Sequence, residues 1–292
     1  MNIGKLGVWY FFDKLSSNTA AKAAQRIEDL GYSTLWVPET VGKNPMVLCS
    51  WLLANTQTLN LATGIANIYH REPGVTLAAQ KSLAEQSQNR FLLGLGVSHT
   101  RIVEGIRGLK YGPPLATMRK YLDDMAAAPY TGVSPSEEPP LVIAALGPKM
   151  LTLAAEKTNG AHPYFTSPDH TEMARKRMGD NAWLCVEQKV ILATDPTKAR
   201  NLARPVAKIY QGLPNYRNNW IRMGLSEDDI DSLSNRFIDT TFAWGTEKTI
   251  RARIDEHFDA GADHVSIQPI NPNGQMDDLH WECLELLSPT KS

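Results

Sequence analysis

The chain has 292 residues, 42% hydrophobic and 21% charged, with 30 basic against 31 acidic side chains and a net charge of −1. That balance excludes collagen-like, disordered and disulfide-stapled chains, and it offers no basic field for nucleic acid or an anionic membrane. The length suits one α/β barrel built as a single domain over residues 1–292.

In chain order, short β-branched runs alternate with longer helical ones. Ile3–Tyr10 reads as a first strand close behind Met1, with no signal peptide ahead of it, which predicts a cytoplasmic protein. Thr19–Leu30 is a helix whose Ala20, Ala23, Ala24 and Ile27 share a face, and Gly31 stops it. Strand Thr34–Val37, helix Pro45–Thr56, strand Leu59–Ile65, helix Pro73–Gln86 and strand Phe91–Leu95 follow. Met46 and Trp51 on the second helix read as core. Residues 97–114 are rich in Gly and Pro and read as a long functional loop. Then come helix Leu115–Ala128, strand Leu141–Ala145, helix Lys149–Lys157, strand Gly160–Phe165, helix Pro168–Met178 and strand Leu184–Ala193. Pro196 opens a helix, and residues 212–243 read as helices outside the repeat. Helix Thr246–Ala260, strand His264–Gln268 and a helix near Met276–Leu287 end the chain. Eight strand–helix units predict a (β/α)8 barrel, with its site at the C-terminal ends of the strands.

Cys49, Cys185 and Cys283 are odd in number and far apart, so each reads as a buried small hydrophobe. No CxxC, HExxH or H-x-H spacing points to a metal, which argues against a metal-dependent hydrolase.

The strand ends carry the candidate chemistry. Gly94-Leu95-Gly96-Val97-Ser98-His99 ends the fourth strand. Its glycines allow close approach and positive φ, and its N–H groups with the Ser98 hydroxyl suit a phosphate. By itself the turn reads more readily as a plain tight turn. Leu146-Gly147-Pro148-Lys149 opens a helix after the fifth strand, where a helix N-terminus and a lysine suit an anion, or simply a capped helix start. His162, after the sixth strand, suits proton transfer or a core position equally. Gly64-Ile65-Ala66-Asn67 ends the third strand and reads as a bulge or a plain strand end. Glu39, with a structural ion pair at least as good a reading as acid–base work, and Thr40 follow the second strand. His70 and Arg71 read as salt-bridge partners.

At these residues the sequence resembles the luciferase-like flavin and deazaflavin oxidoreductases, above all the branch that uses coenzyme F420. The matching stretches are Leu35–Thr40, Ala62–Ile68 with Arg71 and Pro73, Asn89–Val97, Ala144–Met150 and Gly160–Tyr164, all in family order. The resemblance implies a non-prolyl cis peptide at Gly64–Ile65 that props the cofactor ring within Gly64–Asn67, and a phosphate and tail held by Gly96–Ser98 and Leu146–Lys149. It implies a homodimer as well. Two positions depart from related enzymes: Thr40 stands where dehydrogenases of the family carry a histidine, and His99 where the sugar-phosphate enzymes carry a glutamate. The expectation is hydride transfer between coenzyme F420 and a small organic substrate, with His99 or His162 moving the proton. An FMN-dependent monooxygenase and a non-catalytic flavin-binding protein are the alternatives.

Overall fold

The computed structural model describes residues 1–273 and 278–291. Its strand segments are β1 (Leu6–Trp9), β2 (Thr34–Val37), β3 (Asn60–Thr63), β4 (Ala66–Asn67), β5 (Phe91–Gly96), β6 (Leu141–Ile143), β7 (Gly160–Ala161), β8 (Trp183–Leu192), β9 (Phe242–Gly245) and β10 (His264–Pro269). Neighbours run parallel throughout, and β10 pairs with β1 on one side and β8 on the other. The ring therefore closes as eight barrel positions, because β4 continues β3 beyond residues 64 and 65. The strands are buried on both faces, as a parallel barrel requires; β5, Phe-Leu-Leu-Gly-Leu-Gly, has no exposed position.

The helices are α1 (Ser17–Asp29), α2 (Pro45–Ala54), α3 (Pro73–Gln86), α4 (Pro114–Ala127), α5 (Pro148–Lys157), α6 (Pro168–Met178), α7 (Pro196–Tyr210), α8 (Pro214–Arg222), α9 (Glu227–Ser232), α10 (Asn235–Thr241), α11 (Glu247–Asp259) and α12 (Trp281–Leu286). The Ser16 hydroxyl caps α1, whose Ala20, Ala23, Ala24 and Ile27 are buried, and Gly31 at φ +83° ends it. Proline occupies the first position of every helix from α2 to α8, and in α4 a second proline, Pro113, stands at the cap.

Several expectations change. The predicted strand Gly160–Phe165 keeps only Gly160–Ala161, since the chain leaves the sheet at His162. The predicted strand Leu59–Ile65 breaks at Gly64–Ile65. Residues 97–114 contain a π-helical turn, Arg101–Ile106, and residues 212–243 contain α8 to α10 and the start of β9, a strand that pairs with Lys189–Leu192 of β8 outside the ring. Trp51 is 41% exposed rather than core; its indole N–H donates to the Ser17 carbonyl at 2.9 Å. The predicted last helix from Met276 is Trp281–Leu286, and residues 276 and 277 lie outside the described residues. All three cysteines are buried and unpaired, and burial pushes their thiols up. Among the described residues no helix is long and apolar enough to cross a membrane.

Candidate active site

A cleft of about 880 Å³, counted out to its mouth, opens at the C-terminal ends of β4 to β7 under α8. Its floor is Ile65, which follows a cis Gly64–Ile65 peptide bond. The implied cis bond is thus present. The Gly64 carbonyl accepts from the Trp9 indole at 3.0 Å.

Gly96, Val97 and Ser98 form one wall. A Cβ at Gly94 would stand 2.0 Å from the Thr63 carbonyl oxygen, and one at Gly96 would stand 2.3 Å from Ile65 Cδ1. Both glycines are there for close approach. Neither has positive φ; that conformation falls on Ser98, at φ +54°. The Tyr111 hydroxyl donates to the Ser98 carbonyl at 3.2 Å and braces the turn.

The opposite wall is Leu146 and Gly147 at the start of α5. Among the described residues no side chain caps this helix; Pro148 has no N–H and the Met150 N–H donates to the Gly147 carbonyl, so the Gly147 and Lys149 N–H groups are the ones left open at this end. Arg222 of α8 reaches over them. Its Nη2 lies 3.6 Å from where a Gly147 Cβ would stand and donates to Asn219 Oδ1 at 3.3 Å. The side chain is largely exposed, and partial desolvation against the wall lowers its guanidinium pKa from the usual value. Among the described residues no carboxylate pairs with it. The His170 Nε2–H donates to the Leu146 carbonyl at 2.9 Å and fixes this wall from behind.

His162 closes the inner end. Its ring stacks on Trp36, with centroids 4.2 Å apart and planes 7° apart. Its Nδ1–H donates to the Cys185 carbonyl at 2.7 Å, so the other nitrogen, Nε2, carries the lone pair. Nε2 is buried and has no partner. Burial, above all, brings the imidazole down to about 3, which keeps it neutral. It is therefore an acceptor in its resting form rather than the proton donor expected. His99 lines the outer part of the cleft; burial lowers its pKa, against a side-chain hydrogen bond to Asn215. Beyond His99 and Tyr111 the cleft widens into a groove bordered by Arg101, Lys208 and residues 211–215.

Of the predicted residues, Ile65, Gly96, Val97, Ser98, His99, Leu146, Gly147 and His162 meet in this cleft. Gly64, Ala66 and Asn67 stand behind it. Pro148 and Lys149 do not line it: both are exposed on the outside of the first turn of α5. Thr40 does not line it either. Its hydroxyl donates to Asp13 Oδ2 at 2.8 Å and accepts from the Gly42 N–H, a clip between two loops. Glu39 is a structural ion pair: Arg71 meets both its oxygens, at 2.6 and 2.8 Å, His70 Nδ1 lies at 3.1 Å, and the Asn67 N–H donates at 2.6 Å. Burial pushes the Glu39 carboxyl up, but the Arg71 guanidinium and these bonds outweigh it and hold the group below the usual range. Arg222, Asn215, Tyr216 and Tyr111, absent from the sequence reading, come from its two irregular segments.

The family model described as luciferase-like monooxygenase matches residues 13–264. The chain belongs to the luciferase-like monooxygenase family. It is 26% identical over 234 residues to a Mycobacterium tuberculosis protein assigned as a coenzyme F420-dependent oxidoreductase, covering 66% of this chain and 67% of that one. It is 28% identical to the 5,10-methylenetetrahydromethanopterin reductase of Archaeoglobus fulgidus, over 84% of this chain and 88% of the reductase. Among solved structures the fold matches an F420-dependent secondary alcohol dehydrogenase at a TM-score of 0.75, with 14% identity over 97% of this chain and 98% of the other. It also matches the FMN-bound oxygenating component of 3,6-diketocamphane monooxygenase from Pseudomonas putida, at a TM-score of 0.71, with 16% identity over 98% of this chain and 96% of that one.

Proposed function

We propose that the chain is a coenzyme F420-dependent oxidoreductase acting on a small organic substrate. The observation that carries this reading is one cleft holding an anion corner at one end and an apolar floor ending at an unpartnered buried acceptor at the other. The names of the Mycobacterium tuberculosis relative and of the matching dehydrogenase support the choice of cofactor.

The residues fit such a group. The Ser98 turn, the open N-terminus of α5 at Gly147 and the Arg222 guanidinium would hold its phosphate. The outer groove with Arg101 and Lys208 would take its tail. Ile65 and Val97 would flank its ring and exclude water. His162 Nε2 would accept a hydrogen bond from a ring or substrate N–H or O–H. When bound, the deazaflavin supplies or accepts a hydride. His99, at the mouth, would exchange the accompanying proton with solvent.

The monooxygenase description of the family favours a second reading, with FMN in the same cleft and oxygen as co-substrate. Oxygen uptake separates the two. Protein with reduced coenzyme F420 is expected to reduce a substrate from a panel of small carbonyl compounds and to consume no oxygen. Oxygen consumption with reduced FMN, and no turnover with F420, would overturn the first reading for the second.

We infer in addition a homodimer. Val47 and Trp51, one turn apart on α2, and the neighbouring Val41 are 69%, 41% and 59% exposed, an apolar face that a second copy would cover. Light scattering on the eluted protein tests this; a monomer mass overturns it.

A further inference from the structure

Helix α7 presents two apolar stripes. Ala199, Ala203 and Ala207 face the core and are fully buried. Leu202, Val206 and Ile209 lie on the adjoining face and line a second cavity of about 750 Å³ counted to its mouth; Leu202 and Val206 are partly buried against the core. Ile209 is left 52% exposed there. Phe11, beyond β1, and Pro269 and Ile270, at the end of β10, complete the apolar walls. A concave, mostly apolar hollow of this size between a helix and the strand ends is the form of a small-molecule site.

Two polar features give that ligand its chemistry. Gln268 is 3% exposed and lines the cavity. Its Oε1 accepts from the Tyr164 hydroxyl at 2.9 Å, while its Nε2 has no partner among the described residues. The Tyr210 hydroxyl, 2.8 Å from that of Tyr164, joins the same chain. With Tyr164 donating to Gln268, Tyr210 donates to Tyr164 and keeps its own oxygen free to accept. Of the other polar residues here, Tyr10 and Asn271 are bound to the Asp278 carbonyl and Asn201 lies exposed at the rim, so the inner cavity offers one amide donor beside one hydroxyl acceptor, which matches a single carbonyl or hydroxyl oxygen.

No charged side chain lines the cavity among the described residues. The nearby ammonium of Lys189 is fully buried, paired with Glu187 at 3.0 Å, and covered by the rings of Tyr164 and Phe165, whose centroids are 3.6 and 4.0 Å from Nζ. A charged ligand here would lose its hydration with no counter-ion to meet it.

The two cavities share a wall. The Tyr164 ring lines the cofactor cleft, and its hydroxyl holds two residues of the second cavity. We propose that this second cavity binds the substrate, and that the substrate is a neutral, largely apolar molecule carrying one carbonyl or hydroxyl oxygen. Its role as substrate site rests on the reading of the adjoining cleft as the cofactor's.

The test is a titration of the full chain with cyclohexanone, cyclohexanecarboxylate and cyclohexylammonium, followed by ligand-observed NMR, beside a titration with coenzyme F420. Saturable ketone binding, at least tenfold tighter than either ion, is expected. Leu202→Trp and Val206→Trp fill the cavity and line neither the cleft nor its outer groove, so they are expected to abolish ketone binding while leaving F420 binding unchanged; Gln268→Leu is expected to weaken the ketone about tenfold. Asn201 is exposed at the rim of this cavity alone, so Asn201→Trp keeps the test open if either of these misfolds. Ketone binding that is no tighter than the carboxylate's, or that survives both tryptophans, overturns the proposal. F420 binding without ketone binding overturns it alone. Ketone binding without F420 binding upholds the cavity and overturns the cofactor reading.

Discussion

Arg222→Ala isolates the anion corner. The guanidinium has no carboxylate partner among the described residues, and its one hydrogen bond, to Asn219, is long at 3.3 Å. Removing it therefore leaves no buried charge unpaired, and the fold is expected to keep its melting temperature. A phosphate at the Gly147 and Lys149 N–H groups would lie within a few ångströms of the positive charge. Two unit charges about 4 Å apart gain about 1 kcal/mol in water and about 4 kcal/mol near a protein surface. Arg222 is exposed, so the lower part of that range applies, about 1–2 kcal/mol or roughly 5- to 30-fold in affinity. The assay is a fluorescence titration of wild type and variant with coenzyme F420 and with its phosphate-free deazaflavin core. The whole penalty should fall on the phosphorylated ligand and shrink in high salt. Equal loss for both ligands, or no loss for either, would refute the assignment of Arg222 to the phosphate.

Three further outcomes are expected. Gly96→Ala drives a Cβ into Ile65, costing about 1–3 kcal/mol of stability and pushing the cleft floor toward the ligand; unchanged melting and unchanged cofactor affinity would contradict that packing. Arg71→Ala strands the Glu39 carboxylate, 7% exposed, and should cost about 3 kcal/mol in denaturant unfolding, where a loss under 1 kcal/mol would count against a structural pair. Burial, first among the causes, holds His162 and His257 near 3 and His170 and His264 near 4, below the 6.5 of an unperturbed histidine. The unfolded chain therefore takes up these protons first as the pH falls. Their contribution is complete above about 6.5 and is lost toward 4, at about 1.4 kcal/mol per pH unit for each group. Melting temperatures should drop steeply between pH 6.5 and 4, and a flat profile there would show that these histidines are already charged in the fold.

The barrel was legible because strand and helix periods differ and because Pro and Gly mark the joints, as at Gly31 and Pro73. The cleft's inner wall was legible too, since barrel strand ends converge and the turn after β5 ends on one of them. What sequence could not supply came from two sources. Arg222, Asn215 and Tyr216 sit on α8, a helix whose packing over the strand ends follows from tertiary contacts and not from any local period. Lys149 and Thr40 were misplaced because a position next to a strand end does not fix which way a side chain turns. Lys149 points to solvent from the first turn of α5, and Thr40 is held by Asp13. Ring chemistry alone left His162 a candidate donor; the Cys185 carbonyl and full burial make it an acceptor.

The central claim, a deazaflavin in the cleft at Ile65, Ser98, Gly147 and His162, is tested most directly by titrating the purified full chain with oxidised and reduced coenzyme F420 beside FMN. Saturable binding of coenzyme F420, tighter than that of FMN and weakened by Arg222→Ala, is the predicted result; binding of neither cofactor would contradict the account.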